Sequence, residues 1–204
     1  MLQYKITIPR LLGDPSLWDT FVAEMKKGAV AALPTDTLYG LAADAESPAG
    51  VRAIYEAKGR GEEKPLILFL PDADGLARLG IVPEPRVRRL LDRSWPGGVT
   101  AVFALPGHPL PAFTFPSLGV RVPNHPELLR LLHRYPGGLL TTSANRSGQP
   151  PLPDADSIIE TFGPAVPWVL DGGRLEPSPP STVADVSVWP PRILRQGKIL
   201  LDLS

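Results

Sequence analysis

Apolar residues recur along this chain in two rhythms, one of period two and one near 3.6, and the alternation between them predicts the elements. Residues 3–8 alternate polar and apolar side chains, as a strand with one covered face does. In residues 15–27 Leu17, Phe21, Val22 and Met25 fall on one helical stripe, with Asp14 or Ser16 as its cap. Residues 29–33 form a short apolar run cut by Pro34, the pattern of a strand buried on both sides. Further helices are predicted over 47–58, 84–93, 127–133 and 154–161; in the first, Pro48 suits the opening turn and Gly59 lies just past the end. Further strands are predicted over 66–70, 99–105, 118–122, 138–142, 168–170, 182–185 and 192–201, the last two as a possible hairpin with a turn at Trp189-Pro190-Pro191. Strands alternate with helices early and follow one another late. The fold class is therefore α/β (α+β), a twisted mixed parallel and antiparallel sheet flanked by helices. No repeat or long linker divides the chain, so one domain over 1–204 is expected.

Composition narrows this picture mainly by exclusion. At 204 residues and 43% hydrophobic the chain can bury a substantial core. No apolar run reaches the roughly 20 residues that cross a bilayer, and the first ten lack a signal-like apolar stretch, so no membrane association and a cytoplasmic location are expected. Lys plus Arg and Asp plus Glu balance at 21 each, whereas proteins that grip nucleic acid through its phosphates are usually basic. The absence of Cys excludes disulfides, thiolate metal sites and a Cys nucleophile, and three scattered His make a zinc site improbable, so no protein-held metal is expected. The 26 Pro and 19 Gly are spread without period between apolar segments and read as rigid turns.

Five segments carry candidate chemistry. Pro34-Thr35-Asp36-Thr37-Leu38-Tyr39-Gly40-Leu41 follows a buried strand; its hydroxyls could hold phosphate or an amino acid, or the segment could be a turn satisfying its own backbone. Lys58-Gly59-Arg60 with Lys64 gathers three cations suited to a polyphosphate, though cations also favour a solvated helix C-terminus. Arg121, embedded in apolar strand residues, needs an anion, either a ligand carboxylate or an acidic side chain. Residues 139–148, Leu-Leu-Thr-Thr-Ser-Ala-Asn-Arg-Ser-Gly, run from a buried strand into small hydroxyls and an amide that can wrap a phosphate. Ser181 and Arg195 belong to the last two strands. GxxxxGK[ST], GxGxxG after a strand and GxSxG are all missing, so P-loop, Rossmann and α/β-hydrolase chemistry lose support.

In their order, PTDTLYGL, KGR with KPL, WPGGVT, SLGVRVPNHP, TTSANRSG, LDGG, STVADVS and ILRQG make the chain resemble the YrdC-like family over most of its length, in its short bacterial form. The resemblance implies a concave basic groove in which ATP, L-threonine and bicarbonate become threonylcarbamoyl-AMP and pyrophosphate, with Mg²⁺ accompanying ATP. By the same resemblance Thr37, Arg121, Thr141 and Ser181 would contact threonine. Lys58, Arg60 and Lys64 would clamp the triphosphate, Lys58 and Arg60 being catalytic. Ser117, Ser143 and Asn145 would hold phosphate or ribose, and Arg195 the nucleotide. Phe69 stands where some relatives carry a His that touches threonine. A separate transferase complex would carry the product to tRNA, and the groove could itself contact tRNA or other RNA. An RNA-binding module or a paralogue without synthase activity is the alternative.

Overall fold

The computed structural model describes residues 3–201 apart from 60, 62, 63, 106, 108, 109 and 177. Its strands are β1 (Tyr4–Ile6), β2 (Ala31–Leu33), β3 (Gly40–Asp44), β4 (Ile67–Phe69), β5 (Val99–Ala104), β6 (Ser117–Arg121), β7 (Leu139–Ser143), β8 (Trp168–Leu170), β9 (Thr182–Asp185) and β10 (Arg192–Arg195). Its α-helices are α1 (Ile8–Gly13), α2 (Pro15–Lys26), α3 (Pro48–Lys58), α4 (Pro85–Ser94), α5 (Pro126–Arg134) and α6 (Ala155–Phe162). All the α-helices but α4 begin where the sequence supplies a side-chain acceptor for their free N–H groups: Thr7, Asp14, Ser47, His125 and Asp154 cap α1, α2, α3, α5 and α6. Gly59 ends α3 in the left-handed region at φ 58°, where a side chain is costly.

All the strands join one sheet in the order β1-β8-β2-β3-β7-β4-β6-β5-β9-β10. β1, β8 and β2 run parallel, as do β4 with β6 and β5 with β9; the remaining neighbours are antiparallel. The mixed sheet flanked by helices agrees with the expectation. Alternation sends successive side chains to opposite faces. One face, with Ala31, Leu33, Ala42 and Leu139, packs against Ile8 and Leu11 of α1, Phe21 and Met25 of α2, and Leu128 and Leu131 of α5. The other, with Ala32, Leu41, Ala43, Leu68 and Leu140, packs against Ile54 of α3, Val87 and Leu91 of α4, and Ile158 of α6.

Several elements depart from the expectation, among them a short 3-10 helix at Gly163–Ala165 that follows α6. Ile8, assigned to the first strand, opens α1, because Thr7 caps a turn that buries both Ile8 and Leu11. A 3-10 helix at Ala73–Leu79 had no counterpart. β3, also unanticipated, is buried at all five positions and so shows no alternation. It pairs antiparallel with β2, which makes residues 34–39 the connection of a hairpin. Finally, β10 stops at Arg195, and residues 196–199 form a strap instead: Lys198 N donates to Pro180 O at 2.9 Å and Gly197 N to Thr182 Oγ1 at 3.1 Å.

Candidate active site

The helices α1, α2 and α5 leave part of their face of the sheet to loops, and a cavity of about 430 Å³ lies there. Register explains its floor. Thr141 of β7 pairs with Ile67 of β4 and Ile67 with Gly119 of β6; two residues along, Phe69 pairs with Arg121. With a period of two, these side chains share one face. Thr141, Ile67, Phe69 and Arg121 all border the cavity. Gly119 adds no side chain among them, and a Cβ there would meet Thr100 Cγ2 at 3.1 Å. The site therefore spreads across a sheet face as well as over strand ends, where the sequence located its hydroxyls.

The β2–β3 hairpin loop forms one wall. Thr35 Oγ1 accepts from Thr37 N at 3.0 Å and Leu38 N at 3.1 Å and donates to Leu38 O at 2.7 Å. Thr35 is thus the turn that satisfies its own backbone. Thr37 is left to face Arg121, whose Nη1 donates to Thr37 Oγ1 at 3.0 Å. Arg121 Nε donates to Gly97 O at 2.8 Å and Nη2 to Asp36 Oδ1 at 2.7 Å, with only 4% of the residue exposed. The two anion partners left open for Arg121 resolve into an acidic side chain, Asp36, with the cavity beside it. Tyr39, wholly buried, fixes the loop from behind: its hydroxyl donates to Gly173 O at 2.8 Å and accepts from Gly172 N at 2.9 Å.

The opposite wall comes from the C-terminal hairpin. Ser181 Oγ lies 2.9 Å from Thr100 Oγ1, and Arg195 Nη2 donates to Ser181 O at 3.0 Å and Oγ at 3.2 Å. Burial holds the Arg195 guanidinium below its ordinary pKa. Burial lowers Arg121 as well; Asp36 pushes it back up and the nearby charge of Arg195 pushes it down. Two guanidinium groups close enough to disfavour each other thus border one cavity, and one of them is paired with the Asp36 carboxylate.

At the third corner lies Lys58, the last residue of α3 and only 3% exposed. Its Nζ donates to Ser143 O, to Asn145 O at 2.7 Å and to Asn145 Oδ1 at 3.0 Å. Ser143 Oγ donates to the same Asn145 Oδ1 at 2.6 Å, while Asn145 Nδ2 donates to Arg146 O at 3.0 Å and Gln149 O at 2.6 Å. Segments 85 residues apart are therefore stitched into one loop cluster.

Of the residues singled out from sequence, Thr37, Arg121, Thr141, Ser143, Ser181 and Arg195 border the cavity. Lys58 and Asn145 adjoin it through Ser143. Lys64 is exposed next to Pro65, a lining residue. Ser117 is exposed at the start of β6, paired with Ala104, and does not border the cavity. Arg60 lies outside the described residues. Sequence reasoning gave no role to Asp36, Tyr39 or Thr100. Each stood in a quoted segment, Asp36 and Tyr39 in the hydroxyl-bearing loop and Thr100 at the end of WPGGVT.

A mixed sheet with one face left partly to loops, floored by Thr141, Ile67 and Phe69 and edged by two arginines, defines an α/β domain with an open cleft on that face. Residues 23–197 match the Sua5/YciO/YrdC family, described as telomere recombination. The chain is 33% identical over 180 residues to a threonylcarbamoyl-AMP synthase of Pyrococcus abyssi, covering 87% of this chain and 53% of that one. It is 33% identical over 185 residues to a putative threonylcarbamoyl-AMP synthase of Mycobacterium tuberculosis, covering 87% and 82%. The crystal structure of P. abyssi Sua5 complexed with L-threonine superposes with a TM-score of 0.80 at 29% identity, covering 96% of this chain and 56% of that one. The chain thus belongs to the Sua5/YciO/YrdC family, and it spans about half the length of the P. abyssi relative.

Proposed function

We propose that this chain is an L-threonylcarbamoyladenylate synthase, a nucleotidyltransferase that joins L-threonine, bicarbonate as CO2, and ATP into threonylcarbamoyl-AMP with release of pyrophosphate. The observation that carries the proposal is the gathering of Thr37, Arg121, Thr141, Ser143, Ser181 and Arg195 around one cavity, with Lys58 and Asn145 bonded to its edge. Membership of a family whose curated relatives are named for this reaction supports it.

The threonine carboxylate meets Arg121, with Thr37, Thr141 and Ser181 completing that pocket. Its amine adds to CO2, losing a proton to give a carbamate. A carbamate oxygen then attacks the α-phosphorus of ATP in line, the bond to the β-phosphate oxygen breaks, and pyrophosphate leaves. Lys58, Arg60 and Lys64 bear the charge of the departing group, Ser143 and Asn145 orient phosphate or ribose, and Arg195 holds the nucleotide, while Ser117, away from the cavity lining, takes no part in this arrangement. The protein contributes positioning and charge rather than a nucleophile. Mg²⁺ would enter with ATP as the companion of its triphosphate. When bound it supplies neutralisation of the triphosphate. The product passes to a separate tRNA threonylcarbamoyl-transferase complex in the cytoplasm; no helix among the described residues is long and apolar enough to cross a membrane.

The test is purified protein with ATP, Mg²⁺ and bicarbonate, assayed for pyrophosphate with and without L-threonine. Threonine-dependent release together with an adenylate of the expected mass is the expected result. Retention of RNA without such turnover would replace the proposal with the binding-module reading.

A further inference from the structure

Arg121 is held on three sides, by Gly97 O, Thr37 Oγ1 and Asp36 Oδ1, and its Cζ lies 5.9 Å from the Phe69 ring centroid. A guanidinium has five N–H donors. Three have acceptors here, so two are without one among the described residues, in a group that borders the cavity. Asp36 itself is not in that lining. It borders a neighbouring hollow of about 370 Å³ together with Arg93, Asn124 and Lys198. The ion pair Asp36–Arg121, at 2.7 Å with side chains 16% and 5% exposed, forms a partition between the two spaces.

From this geometry we infer that Asp36 is a positioning residue for substrate binding: it acts through Arg121, fixing the guanidinium plane so that the two remaining N–H groups meet the amino-acid carboxylate. The role rests on the proposed synthase reaction for its substrate, but the orientation of Arg121 is independent of it. The Asp36 carboxylate also offsets, at Arg121, the like charge of Arg195, which borders the same cavity. A buried guanidinium without its carboxylate faces both a desolvation cost and that repulsion. A neutral acceptor of the same shape restores the hydrogen bond and hence most of the orientation.

Three variants test this. Asp36→Ala raises the KM for L-threonine about tenfold or more while the KM for ATP stays within about twofold, and Asp36→Asn returns threonine KM to within about threefold of wild type. Asp36→Glu, which keeps the charge but displaces it by one methylene, raises threonine KM at least about fivefold. Side-chain ¹⁵N NMR of ligand-free protein, assigned through Arg121→Lys, shows restricted rotation about the Arg121 Cζ–Nη bonds that is lost in Asp36→Ala and kept in Asp36→Asn. Unaltered Nη signals in Asp36→Ala, threonine and ATP KM values rising together, or a threonine KM unchanged in both Asp36→Ala and Asp36→Glu, would each overturn the inference. Wild-type protein with the expected NMR behaviour but no threonine-dependent turnover would overturn the synthase reading and leave the positioning of Arg121 standing.

Discussion

Lys58 has only 3% of its surface exposed, and the chain itself provides acceptors for its Nζ at Ser143 O, Asn145 O and Asn145 Oδ1. Such a group shapes its surroundings, because its loss leaves buried carbonyls unmatched. Lys58→Ala should lower threonine-dependent pyrophosphate release by about 10²-fold or more. It should also speed amide exchange across residues 143–149, read by hydrogen–deuterium exchange. Tyr135 offers a test away from the cavity. Its hydroxyl donates to Asp44 Oδ2 at 2.6 Å, and burial together with that bond pushes its pKa up. Tyr135→Phe strands a buried carboxylate oxygen and should cost about 1–3 kcal/mol in urea unfolding. Asp154 caps α6, and hydrogen bonds from Ser157 hold its pKa below the ordinary carboxylate range. A depressed folded-state pKa contributes stability above the unfolded-state value and loses it as pH falls through the folded-state one. The stability lost in Asp154→Ala, about 1 kcal/mol near neutrality, should therefore shrink as wild type is acidified through that range. Residue types at the site were legible in sequence: hydroxyls, an amide, and arginines among apolar neighbours. The Asp36–Arg121 pair was not, because a sequence shows that Arg121 needs an anion and not which carboxylate the fold brings to it.

Elements whose two faces differ were readable from the pattern. α2, α3 and α5 announce themselves through apolar stripes, a capping side chain and a proline in the first turn. β3 was hidden for the opposite reason: Gly-Leu-Ala-Ala-Asp is covered on both faces and contains no β-branched residue, so neither period nor propensity marks it. Missing β3 also hid the hairpin that presents Thr37 and Asp36. The strap after β10 was read as more strand because its apolar Ile199 and Leu200 continue the pattern, yet its bonds go to Pro180 and Thr182. Gly197 is where the strap presses closest, since a Cβ there would fall 2.2 Å from Pro180 O. Gly197→Ala should lift the strap, cost about 1–3 kcal/mol and raise the KM for ATP, because Pro180, Ser181 and Arg195 all line the cavity. Thermal unfolding with steady-state kinetics checks both parts.

Across the whole molecule, the two helical layers are clamped to opposite faces of the same sheet, so neither can detach without exposing strands the other also covers. Unfolding should follow one transition, with coincident midpoints from circular dichroism, from the fluorescence of Trp18 and Trp168 on one face, and from that of Trp95 on the other. The cavity draws its lining from Thr35 at one extreme of the chain and Arg195 at the other. Everything from residue 35 to residue 195 must therefore be in place before this hollow can close. A chain cut ahead of residue 181 loses Ser181 and Arg195, and with them one wall of the hollow, so it should show no threonine-dependent pyrophosphate release.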